Sequence, residues 1–361
     1  MERLIIRNTW DVIAEADGKL DSGAVRTVEV EALVDTGAHL CGLHKTTPEP
    51  HEFVVCNQPV VKIGFSTTAL LIILSCMRKL FSGTVLPVIP AICLLFIMGC
   101  FDFYANEESA LKRLENQNYP VAQREYEQGD RVLFAVEAGN PEDRLVVFVH
   151  GSPGEWNAFE EFLNDPELVQ GARLVSVDRP GFGRSNPGEP ERSLEAQAAL
   201  LKPLLETNQS KQGAILIGHS MGGPVVARAA MDYPGLVGGV ILVAASIDPE
   251  LEEVKFIQKV AKWPVIRWMV PTMLYVTNEE ILPLKGELEK MLPLWRSIRM
   301  PVTVIQGGKD TLVPPGNADF AERMLTGTQP KMVRKEDMNH FVPWEHPELI
   351  RAAIDDHLGR K

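Results

Sequence analysis

The stretch Gly213-Ala214-Ile215-Leu216-Ile217-Gly218-His219-Ser220-Met221-Gly222-Gly223-Pro224 decides the fold. Ala214 to Ile217 is an apolar run of strand length, and Pro224 to Tyr233 reads as a helix ended by Pro234. Between them lies G-x-S-x-G, a turn sharp enough to push a serine hydroxyl out of the backbone. The residues two before and two after such a serine must lack a side chain, because strand and helix crowd together there. Gly218 and Gly222 meet that need, and Gly223 lets the helix start close to the strand.

Working outward, the segments on both sides repeat the strand–helix alternation. Strands are expected at 131–137, 144–150, 173–177, 214–217, 239–245, 301–306 and 331–334, and helices at 156–164, 193–207, 224–233, 317–325 and 347–358. This alternation predicts an α/β fold with a mostly parallel, doubly wound sheet over residues 120–361. In such sheets ligands bind beyond the carboxyl ends of the strands. An insertion at about 247–300 interrupts the pattern before the strand at 301–306. It carries Phe256, Trp263, Trp268, Met269, Met273, Leu274, Tyr275 and Trp295, which suit either an apolar substrate or the attachment of a cap to the core.

With 36 Lys plus Arg against 48 Asp plus Glu, the net charge of -12 argues against a nucleic-acid partner. The five cysteines all fall at or before Cys100, so the later chain has no disulfide or thiolate site. The histidines lack H-E-x-x-H or similar ligand spacing, and no metal is expected.

The first hundred residues read differently. Val28 to Val34 alternates like a strand and runs into Asp35-Thr36-Gly37-Ala38, which resembles the active-site turn of retropepsin-like aspartic proteases. That family needs two carboxylates sharing a proton, and residues 1–62 hold one such turn, so an inactive fragment is expected. Residues 63–104 are the most apolar part of the chain. Leu80 to Phe101 spans 22 residues without a charge, enough to cross a bilayer, and Arg78 and Lys79 before it place the following chain outside the cytoplasm. From Met77 the stretch also resembles a lipoprotein signal peptide ending at Cys100. Translation from Met1 would make the segment an internal signal anchor, and translation from Met77 would make it a cleaved signal with a lipidated cysteine. Either way a membrane-attached, extracytoplasmic domain is expected. Residues 105–119 are polar and read as a tether.

Three motifs in order, His150-Gly151-Ser152-Pro153-Gly154, Asp178-Arg179-Pro180-Gly181-Phe182-Gly183-Arg184-Ser185 and Gly218-His219-Ser220-Met221-Gly222, resemble the α/β-hydrolase superfamily over about residues 120–361. The resemblance implies a catalytic Ser220 and an oxyanion hole made by the N–H groups of Ser152 and Met221. It also implies the chain order Ser, Asp, His. Asp310, in Gly307-Gly308-Lys309-Asp310, follows the strand at 301–306, and His340, in Asn339-His340-Phe341, resembles the family's terminal histidine loop. Asp248 is an alternative acid and His346 an alternative base. His219 is expected to pack and His150 to brace the oxyanion loop, while Arg179 and Arg184 are expected to pin their own loop by salt bridges. A serine at the elbow excludes family members that use an aspartate there. The expectation is a cofactor-independent serine hydrolase of small, apolar esters or acyl compounds, lipase- or esterase-like. A prolyl-aminopeptidase-like peptidase and a non-catalytic binding protein on the same fold are the alternatives.

Overall fold

The computed structural model describes residues 107–252 and 270–360, together with three strands nearer the N-terminus. The chain divides into two compact units, Met1–Thr84 and Val85–Lys361. In the first unit, β1 (Glu2–Arg7), β2 (Thr27–Leu33) and β3 (Leu40–Cys41) form an antiparallel sheet in that order. Asp35, Met77, the 80–101 run, Cys100 and the cap residues Phe256 to Met269 lie outside the described residues. Among the described residues, no helix is long and apolar enough to cross a membrane.

The second unit has the α/β architecture expected from the alternation. Its eight strands are β4 (Val121–Gln128), β5 (Arg131–Ala138), β6 (Arg144–Val149), β7 (Ala172–Val177), β8 (Ala214–His219), β9 (Val237–Val243), β10 (Val302–Gly307) and β11 (Lys331–Lys335). They lie in the order β11-β10-β9-β8-β6-β7-β5-β4. Only β5 runs against its neighbours, pairing antiparallel with β4 and β7, and the pairs from β7 through β11 are parallel. Alternate residues of each central strand serve opposite faces, as pleating requires. Leu145, Val147 and Val149 of β6 pack in one core cluster, and Val146 and Phe148 in the other. Both faces being buried explains why these strands read as continuous apolar runs.

One face is covered by α2 (Leu194–Glu206), α3 (Gly222–Asp232) and α5 (Gly316–Met324), numbered along the chain after α1 (residues 107–115). The other face is covered by α1, the short helical turns at Trp156–Phe159 and Glu160–Leu163, and α6 (Pro347–Leu358). Between the strands β9 and β10 lies α4 (Thr272–Met291). Ser193 caps α2, its hydroxyl accepting the Ala196 N–H at 3.3 Å, and Gly359 ends α6 at φ +74°. Phe148 stacks with Phe159 and Phe162 at ring separations of 5.0 and 5.3 Å. This wholly buried cluster stiffens the strand that carries the His150 loop.

Two expectations change, and for one cap residue an open alternative closes. Residues 107–115 are helical and bury Ala110, Leu111 and Leu114 in the core, so this stretch is part of the globular unit and not a tether. Its apolar positions at three- and four-residue spacing are what the tether reading overlooked. The strand β4 was missed because it lies at the sheet edge and exposes most of its residues, leaving no apolar run to read. Of the cap's aromatics, Trp295 is buried edge-on against Phe320 at 5.5 Å, so it attaches the insertion to the core.

Candidate active site

The parallel strands β6, β7, β8, β9 and β10 all end at one edge of the sheet, and each is followed there by a segment carrying polar chemistry. After β8 comes Ser220, a non-glycine residue held at φ +53°. Such a conformation costs on the order of 1–3 kcal/mol and persists only where the surroundings enforce it. Here the Ser220 N–H donates to the Val243 carbonyl at 3.0 Å, and its own carbonyl accepts from the N–H groups of Gly223 (3.0 Å) and Ser246 (3.2 Å). The flanking glycines are obligatory: a Cβ at Gly218 would fall 2.6 Å from Val226 Cγ2, and one at Gly222 would fall 2.7 Å from the His150 carbonyl oxygen.

After β6 the chain passes directly beside the serine. A Cβ on Gly151 would lie 2.9 Å from Ser220 Cβ and 3.4 Å from its Oγ. Among the described residues, neither the Ser152 N–H nor the Met221 N–H donates to a protein acceptor.

The loop after β10 carries Asp310. Asp310 is buried, and its Oδ1 accepts the N–H groups of Leu312 (2.9 Å) and Val313 (2.8 Å). Its Oδ2 accepts from Gln306 Nε2 at 3.2 Å and lies 2.8 Å from His340 Nδ1. A carboxylate with this many fixed donors can only accept from the imidazole, which leaves Nε2 of His340 free to take a proton. His219 joins the two loops, with its Nε2–H donating to the His340 carbonyl at 3.1 Å and its ring 4.8 Å from the His340 ring.

The rival residues have other occupations. Burial, reinforced by the nearby His340, pushes the His219 imidazole down to about 3, too low for a general base at neutral pH. His150 is likewise pushed well below its ordinary value by burial and then by Arg179. Its Nδ1 lies 2.6 Å from the Gly151 carbonyl, and its Nε2 accepts the Arg179 N–H at 2.9 Å. Asp248 caps a helical turn by accepting the Glu250 N–H at 2.9 Å. His346 lies 3.4 Å from Glu348 near the surface.

Two residues were not foreseen. Gln306, buried near the end of its strand, donates to Asp310; a long amide side chain just before the Gly307-Gly308 turn was the available signal. Glu280 is 1% exposed and pairs with Arg179, itself 1% exposed, at 2.6 Å. Nothing in the run Asn278-Glu279-Glu280 marks it, because paired glutamates in a helix ordinarily face water. The pairing expected of Arg184 is with Glu107, at 3.2 Å.

A family model described as alpha/beta hydrolase fold matches residues 144–265. A 2-hydroxy-6-oxononadienedioate/2-hydroxy-6-oxononatrienedioate hydrolase from Pseudomonas sp is 27% identical over 264 residues, covering 62% of this chain and 90% of the relative. Among solved structures, the N-acyl homoserine lactone degrading enzyme Est816 has a TM-score of 0.53 at 17% identity, over 64% of this chain and 99% of its own. A membrane phospholipase A described as a bacterial virulence factor also scores 0.53, at 15% identity, over 81% and 98%. Sheet order, elbow and these matches together define the α/β-hydrolase fold.

Proposed function

We propose that the globular unit is a serine hydrolase of carboxylic esters that works through an acyl-enzyme. Ser220 is the nucleophile, His340 the general base that takes its proton, and Asp310 the group that orients the imidazole and stabilises its charged form. The N–H groups of Ser152 and Met221 meet the oxyanion as the carbonyl becomes tetrahedral. The imidazolium gives that proton to the departing alcohol as the ester C–O bond breaks, and water activated by His340 then attacks the acyl-enzyme, releasing the acid and restoring Ser220. The observation that carries this reading is the 2.8 Å pairing of His340 with Asp310, tied through a ring contact and hydrogen bond to His219, the residue next to an elbow serine at φ +53°.

An apolar acyl or alcohol group suits the surroundings. Leu312, Phe341 and Trp344, which flank Asp310 and His340, are 62%, 48% and 51% exposed. The test is Ser220→Ala measured with p-nitrophenyl esters and a fluorophosphonate probe. Loss of at least about 10³-fold in kcat together with loss of labelling is expected, and full turnover by the variant would end the reading.

A second reading, hydrolysis of an oxo-dioate, is favoured by the 27% identical relative named for such a compound. Turnover of that compound faster than of any ester would select it. The uncharged run at 80–101 leads us to propose in addition that the enzyme is tethered to a membrane with this unit outside the cytoplasm. Recovery of the native protein in the soluble cytoplasmic fraction would remove that part alone.

A further inference from the structure

We propose that the buried pair Arg179–Glu280 is a positioning device that aims the oxyanion donor Ser152, so that α4 of the cap takes part in forming the oxyanion hole. The proposal rests on the Ser220 hydrolase reading and adds two residues to it.

The guanidinium of Arg179 grips two successive carbonyls of the loop after β6. Its Nε–H donates to the His150 oxygen at 2.8 Å, and Nη2 donates to the Gly151 oxygen at 3.0 Å. In a trans peptide the C=O and N–H point in opposite directions. The Gly151 carbonyl belongs to the same peptide group as the Ser152 N–H, so holding the oxygen against Arg179 turns the N–H away from it. The His150 Nδ1–H, 2.6 Å from the same oxygen, sets a second constraint on that plane.

Glu280 in turn holds Arg179. Its carboxylate receives Nη1 at 2.6 Å and Nη2 at 2.9 Å, a two-point contact that fixes the orientation as well as the position of the guanidinium. The Ser152 hydroxyl completes the arrangement, hydrogen-bonded to both Arg179 and Glu280. Gln197 of α2 accepts from Arg179 Nη1 at 3.1 Å. With these partners the guanidinium has no donor left for a substrate carboxylate, which excludes a direct binding role. The helix α4 is secured to the same segment at further points. Glu279 pairs with Arg192, and Glu287 accepts the Leu194 N–H at 3.0 Å.

The double substitution Arg179→Met/Glu280→Met tests this, because replacing a buried ion pair by apolar residues of similar volume often leaves stability unchanged. The expected result is a folded protein whose kcat is about 10- to 100-fold lower, part of the loss seen when an oxyanion donor is removed, with KM within about threefold of wild type. Affinity for a trifluoromethyl ketone, which forms an oxyanion on Ser220, should fall by the same factor, while affinity for the plain methyl ketone should not change. A purely structural pair would leave the ratio of the two ketone affinities unchanged. An unaltered ratio in the folded double variant, whatever its kcat, would overturn the proposal. Should the double variant fail to fold, Ser152→Ala decides. It keeps the N–H and removes only the hydroxyl bridge, and it should lower kcat and the ketone ratio together; no change in either would overturn the proposal. Wild-type protein lacking Ser220-dependent turnover would sink the hydrolase reading and this proposal with it, whereas an active wild type with an unimpaired double variant would sink this proposal alone.

Discussion

Asp178 and Arg179 are adjacent in the chain and both buried, yet they face opposite electrostatic situations. Arg179 turns toward the elbow and meets a carboxylate, two backbone carbonyls, an amide oxygen and a hydroxyl. Asp178 has Glu107 of α1 as an electrostatic neighbour and, among the described residues, pairs with no cation. Its carboxylate accepts the N–H groups of Trp156 (2.7 Å) and Arg184 (2.8 Å), with Glu155 and Glu107 as neighbours. Burial, against the pull of those two N–H groups and with help from the neighbouring carboxylates, pushes Asp178 up to about 7. Glu155 is also pushed up to about 7, by burial and then by Glu107, and its Oε2 has no hydrogen-bond partner. The elbow side of the loop is therefore held by an ion pair, while the α1 side carries carboxyls whose charge depends on pH.

The largest effect expected from breaking this asymmetry comes from Arg179→Met alone. It leaves Glu280 buried without its cation, and truncating one partner of a buried pair costs about 3–5 kcal/mol. Urea unfolding should register that loss, and the second change Glu280→Met should recover part of it by removing the unpaired carboxylate, the His150 and Gly151 carbonyls still lacking the guanidinium. A loss below about 1 kcal/mol in the single variant would mean that Glu280 finds water or a proton at little cost. The two sides of the loop would then be alike.

The same contrast marks what could be read from the chain. The sheet and elbow were legible because both obey local rules: apolar runs of strand length, and glycines where a Cβ would strike Val226 Cγ2 or the His150 carbonyl. Asp310 and His340 could be placed at strand ends by their flanking motifs, although the 2.8 Å contact between them joins loops 30 residues apart. The partner of Arg179 could not be found that way. Glu280 lies 101 residues further on, and its burial depends on how α4 docks, which no local pattern encodes. The polar edge strand β4 and the helix α1 were missed for a related reason. Each gains its stability from what it packs against, and a short or polar segment carries little of that in its own pattern.

The smaller expected effect tests the conditional side. A carboxyl whose affinity for protons is higher folded than unfolded stabilises the fold below its unfolded pKa, and this contribution is lost as pH rises toward its folded value. For Asp178 and Glu155 the window runs from about 4 to about 7. The raw profile of the protein will not isolate it, because His219 and His357, pushed down by burial to about 3 and about 4, act in the opposite sense below about pH 6.5. The difference between Glu155→Gln and wild type cancels those histidines. It should be near zero at pH 4.5 and grow to a gain of about 1–2 kcal/mol for the variant at pH 8, read from thermal unfolding at the two values. Arg184→Gln should move the same transition the other way, since the guanidinium lowers the Glu155 affinity for protons and its loss extends the window to higher pH. With Arg184 partly exposed, its loss should cost under about 1 kcal/mol. A pH-independent difference for Glu155→Gln would show that the Glu155 carboxyl titrates alike folded and unfolded, and the asymmetry would then rest on Asp178 alone.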